Sequence, residues 1–102
     1  VARGAYHFYY FCSSPQKQAR WFIANVPRTA GMLPPVLDME WNPYSPTCTV
    51  RPPAEIVREH AASFLSILKA HYGQQPTVDI DINVYEGTAA SWSTWLARRR
   101  VR

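Results

Sequence analysis

No stretch of this sequence approaches the roughly 18 apolar residues that a membrane-spanning helix requires, so no such span is expected. Cysteine occurs twice. The spacing of Cys12 and Cys48 matches no zinc pattern, and two thiols alone do not make a metal site, so no metal or cofactor is expected. Positive charge is not spread along the chain. The net charge of +4 owes much to the tail Arg98-Arg99-Arg100-Val101-Arg102, and without it the chain is near neutral. There is thus no basic stripe of the kind a nucleic-acid partner needs. The tail reads as a solvated terminus, with loose attachment to an anionic polymer as the sharper alternative. Internal repeats and low-complexity tracts are absent. The opening Val1-Ala2-Arg3-Gly4 shows neither a Met nor a charged segment leading into an apolar one, so no signal peptide is visible. It runs directly into what reads as a core strand, and the expectation is that the N-terminus is missing.

What is present is one modest domain's worth of core. Of the 102 residues 47% are hydrophobic and 18% charged, an ordinary soluble composition. Aromatics are abundant at 14%, with four Trp and six Tyr; such rings fill cores and also pack on the apolar faces of sugars. Ala5 to Phe11 is a continuous aromatic run, expected to be a strand buried on both faces. Ser13, Ser14 and Pro15 open a helix, with Ser as cap and Pro in the first turn. Ala19, Phe22, Ile23 and Val26 fall on one face of it, and Pro27 ends it. A second strand follows from Pro35 to Met39.

A loop rich in Pro, Ser and Thr leads to a second helix opened by Pro52, Pro53 and Glu55. Its apolar stripe is Val57, Ala61, Phe64, Leu65, Leu68 and Tyr72, with Gly73 as its stop. Thr77 to Tyr85 alternates with period two. It predicts a strand with Val78, Ile80, Ile82 and Val84 on one face and Asp79, Asp81, Asn83 and Tyr85 on the other. Gly87 breaks it, and a last helix over about 88–99 buries Trp92, Trp95 and Leu96. The order β-α-β-α-β-α with parallel strands predicts an α/β fold, either a doubly wound sheet or part of a (β/α) barrel.

The second strand ends in Asp38-Met39-Glu40. Residues two apart on a strand share a face, so the carboxylates stand side by side, with Cα atoms roughly 6.5–7 Å apart. Burying two acids together is costly, and such a pair would hold one acid protonated and the other ionised. The plainer alternative is a strand end in solvent. The pair lies at the C-terminal end of its strand, where α/β folds place their chemistry.

Gly4-Ala5-Tyr6-His7-Phe8, the helix with Trp21-Phe22-Ile23, and the strand Leu33-Pro34-Pro35-Val36-Leu37-Asp38-Met39-Glu40, in that order, resemble the glycoside hydrolase family 25 lysozymes. The likeness spans roughly residues 3–73. It implies a partial TIM-like barrel, the complete (β/α) barrel being about twice this length. It also implies hydrolysis of the β-1,4 bond between N-acetylmuramic acid and N-acetylglucosamine in peptidoglycan. By motif position, Glu40 would be the general acid and Asp38 its ionised neighbour, helping the substrate's own acetamido group to attack. Tyr6, Tyr10 and Trp41 would contact the sugar. His7 reads instead as a satisfied strand histidine.

Residues 78–96 resemble the family's last strand and the helix after it, with Asp81 on the matching aspartate and lining the catalytic end. The chain is therefore expected to be a single family 25-like domain over 1–102 that is incomplete, lacking the first and several middle strands. A catalytically inactive fragment that only binds cell-wall glycan is the alternative to an enzyme, and an open three-stranded sheet is expected to self-associate. Cys12 and Cys48 both lie beyond C-terminal strand ends, so they either pair or stay free. A disulfide would suit the extracellular or periplasmic setting expected for a cell-wall enzyme.

Overall fold

The computed structural model describes residues 3–40, 44–50 and 52–80. Five elements follow in order: β1 (Tyr6–Phe8), α1 (Pro15–Asn25), β2 (Val36–Met39), α2 (Ala54–Tyr72) and β3 (Thr77–Ile80). The three strands form one sheet in the order β1-β2-β3, parallel throughout. Parallel neighbours need a crossover, and α1 and α2 supply the two. The proposed continuation of the third strand to Tyr85 and the last helix lie outside the described residues.

Local chemistry accounts for the helix ends. The Ser14 hydroxyl accepts the Lys17 amide at 3.1 Å, and Pro15 follows in the first turn, where its missing N–H is no loss. Val26 turns extended ahead of Pro27, which disfavours helix before it. At the start of α2, Pro53 offers no side-chain cap, but Glu55 sits in the first turn and Lys69 and His71 in the last, each complementing the helix dipole. Gly73 closes α2 at φ 71°, a left-handed conformation that a side chain would strain, and its amide bonds to the Lys69 carbonyl at 2.9 Å.

Both helices cover one face of the sheet. His7 stacks on Phe64 of α2 at 5.0 Å between ring centroids and meets Phe22 of α1 edge-on at 6.2 Å. Phe22 in turn meets Phe64 and Tyr72 edge-on. Tyr9, Leu37 and Met39 are buried in this layer, and all six stripe residues of α2 are buried with them. In α1, Ala19 and Phe22 are buried, while Ile23 and Val26 pack at the margin. The Tyr72 hydroxyl crosses to α1's exit and donates to the Val26 carbonyl at 2.7 Å.

The other face is open, and this corrects the expectation that the first strand is buried on both sides. Tyr6 is 69% exposed and Phe8 45%, while Tyr9 is 1% exposed. Continuous aromatic character marks a strand but does not distinguish its faces. Only the helix layer does that, and among the described residues nothing lies across the second face.

Candidate active site

The open face carries the carboxylates. Burial alternates along the second strand, with Leu37 and Met39 buried beneath and Val36, Asp38 and Glu40 half-buried above. Asp38 and Glu40 therefore share the upper face at the C-terminal end of the central strand. Glu40 stands one residue past the last strand residue, Met39. One carboxylate oxygen of Asp38, Oδ1, is buried and meets no hydrogen-bond partner among the described residues. A buried acceptor without a donor is costly and is uncommon away from sites of chemistry.

Register sets the neighbours. Asp38 lies opposite Phe8 on one side and Asp79 on the other, each about 4.8 Å away across the sheet. The open face thus holds an aromatic column, Tyr6, Phe8 and Tyr10, beside an acidic row. The family resemblance singled out Tyr6 and Tyr10 but passed over Phe8, which strand alternation would have found. Asp79, exposed and level with Asp38, was placed correctly opposite Val78 but not connected with the pair. Trp41 and Asp81, both expected near the sugar, lie outside the described residues.

Two loops leave the sheet at this end and are tied together. Cys12, after β1, and Cys48, before α2, form a disulfide with Cα atoms 5.6 Å apart. Beside it, the Tyr10 hydroxyl donates to the Thr47 hydroxyl at 2.9 Å, and Ser45 accepts the Cys48 amide at 3.1 Å. The Tyr9 amide still pairs with the Asp38 carbonyl, at 3.0 Å. Beneath the face, burial pushes the Tyr9 phenol above its ordinary range, with the Gln18 amide opposing weakly. No partner for the Tyr9 hydroxyl lies within bonding distance and angle among the described residues.

A recess lined by Arg28, Thr29, Met32, Tyr72 and Gln74 lies at the opposite end of the sheet, where the strands begin, and contains none of the expected site residues. Among the described residues no group of three or more His, Cys, Asp or Glu is placed to hold a metal ion, and no helix is long and apolar enough to cross a membrane.

The acid pair thus stands on the sheet face away from the helices, at the C-terminal end of the central strand. The family model for glycosyl hydrolases family 25 matches residues 1–101. The chain belongs to that family. A solved structure, a family 25 glycosyl hydrolase from Bacillus anthracis, superposes with a TM-score of 0.73 at 33% identity. The match covers 87% of this chain and 42% of that one, so the chain spans less than half the length of its solved relative. A search of curated proteins finds no match. The α/β architecture is that of a partial family 25 fold, and the family assignment makes the chain part of a group of glycosidases.

Proposed function

We propose that the chain carries the acid pair of a lysozyme that cleaves the β-1,4 bond between N-acetylmuramic acid and N-acetylglucosamine in peptidoglycan. The observation that carries this reading is the placement of Asp38 and Glu40 together on the sheet face away from the helices, at the strand end, in a chain of this family. Glu40 is the proton donor to the leaving glycosidic oxygen. Asp38 is the ionised partner, and its unpartnered Oδ1 has capacity left for a substrate N–H, such as that of a 2-acetamido group. If that acetamido group attacks the anomeric carbon, its N–H acquires positive character, and an adjacent carboxylate stabilises it. No protein nucleophile is then required, as in the substrate-assisted exceptions to the two-carboxylate scheme.

Tyr6 and Tyr10 supply ring faces for the sugars, and Trp41 and Asp81 complete the substrate contacts. The setting is the cell wall, extracellular or periplasmic, where a disulfide persists. Loss of turbidity in a suspension of bacterial cell walls tests the reading. Wild type should clear the suspension and Glu40→Gln should not.

In a second reading the described residues bind glycan without turning it over, as exposed rings such as Tyr6, 69% exposed, would allow. Retention on insoluble peptidoglycan by wild type and Glu40→Gln alike, with no clearing by either, would support binding alone.

A further inference from the structure

We infer that Gln18 is a positioning residue that fixes Tyr10 at the edge of the glycan face and sets how tightly that face holds sugar. This rests on the lysozyme reading for the role of Tyr10, though not for the geometry. β1 ends at Phe8. Tyr9 still reaches β2 through its amide, but Tyr10 lies beyond the ladder, with a backbone donor and acceptor to satisfy.

Gln18, 6% exposed on α1, satisfies both. Its Oε1 accepts the Tyr10 amide at 3.0 Å, and its Nε2 donates to the Tyr10 carbonyl at 2.8 Å. The carboxamide thereby acts as one more peptide unit beside the strand. Its Nε2 also reaches the Ser13 carbonyl at 3.2 Å, and its Oε1 takes a further bond from His7 Nε2 at 2.7 Å.

This arrangement admits one orientation of the amide. A flip would set the NH2 group against the Tyr10 N–H, donor against donor. Since Oε1 can only accept, His7 must carry its proton on Nε2. His7 is in turn held by its stack on Phe64. The Tyr10 backbone is therefore pinned from below, through a buried amide and a core histidine, while its hydroxyl is tied to Thr47 above. The side chain so fixed is 38% exposed and stands on the same face as Asp38 by alternation.

The test is a double-mutant cycle of Gln18→Met and Tyr10→Ala. It is read as the Kd of a soluble β-1,4-linked N-acetylglucosamine oligomer, alongside the nitrogen-15 shifts of His7 and the amide shift of Tyr10. Gln18→Met should weaken binding by about tenfold, the worth of one well-placed ring. In the Tyr10→Ala background it should cost nothing further, because the ring it positions is gone. Equal losses in both backgrounds would overturn the proposal and leave Gln18 a purely structural residue.

Should Gln18→Met fail to fold, Gln18→Glu serves. It keeps the acceptor for His7 and the Tyr10 amide but loses the donor to the Tyr10 carbonyl, and the Tyr10 amide shift should move. An unmoved Tyr10 amide, or a wild-type His7 protonated on Nδ1, would also overturn the proposal. The resonance measurements need no sugar. If wild type binds no oligomer, the lysozyme reading fails, while the clamp is judged on the His7 and Tyr10 signals alone.

Discussion

Along β1 and its exit, Tyr6, Phe8 and Tyr10 differ from His7, Tyr9 and Phe11 less in chemistry than in company. The first three look outward beside Asp38, and the second three lie under the helices or at their margin. The same contrast runs along β2, where Leu37 and Met39 are buried and Asp38 and Glu40 face out. One face is closed by a tight aromatic layer, in which the buried Tyr9 hydroxyl meets no partner among the described residues. The other keeps a buried carboxylate oxygen unmatched and its rings uncovered. Stability is therefore concentrated beneath the sheet and chemistry above it, so substitutions on the two faces should separate cleanly.

The largest separation should come from Glu40→Gln. Removing the proton donor is expected to cut wall-lytic turnover by about 10²- to 10⁴-fold while moving the melting temperature by no more than about 3 °C. Loss of turnover accompanied by unfolding would erase the distinction between the faces. On the covered face, Phe64→Ala removes the ring shared by His7, Tyr9 and Phe22 and should cost about 3–5 kcal/mol in urea unfolding. Replacing Cys12 and Cys48 together by Ser opens a loop of sequence separation 36 and should cost about 3–4 kcal/mol on the chain-entropy account. Because that tie lies at the active end, differential scanning calorimetry and turnover should both register it, unlike either preceding substitution.

Tyr6→Ala, on the open face, should weaken oligosaccharide binding by about 1 kcal/mol, read by titration calorimetry, with unfolding nearly unchanged. The smallest effect belongs to Tyr9→Phe. Burial raises the phenols of Tyr9 and Tyr72, so the folded state keeps protons that the unfolded chain releases near pH 10. Their contribution to stability is complete below pH 10 and declines as pH rises above it. Tyr9→Phe should flatten that alkaline decline in denaturation curves and change neutral-pH stability by only about 1 kcal/mol.

Much of this is legible in the sequence. The α2 stripe from Val57 to Tyr72 was read residue by residue, because a 19-residue helix repeats its period often enough to be unambiguous. Ser14 and Gly73 marked helix ends by chemistry that acts within one turn. The site pair was legible because strand alternation places Asp38 and Glu40 together whatever surrounds them. What escaped was set by distant parts of the chain. The open face of β1 could not be foreseen from an unbroken aromatic run, since burial there depends on where two helices lie. Gln18 is absent from the expected core face of α1, which was built from apolar residues alone. Its position on the same helical stripe as Ala19 and Phe22 was the available signal, a polar residue where the core was expected. Phe8 was passed over because the strand was read as buried on both faces, which gives no reason to set its outward rings apart.

The Gln18 clamp also bears on the order in which this chain can assemble. Its bonds reach His7, Tyr10 and Ser13, all earlier in sequence than Gln18 itself. Nothing in the clamp waits for the second strand, the acid pair or Cys48. As a chain emerges from synthesis N-terminal end first, the amide contacts that fix the Tyr10 backbone become available once the first turns of α1 exist. The tie to Thr47 and the disulfide to Cys48 come later, when those residues emerge. The β1 exit can thus be shaped in advance, a template on which the loop after Glu40 subsequently closes.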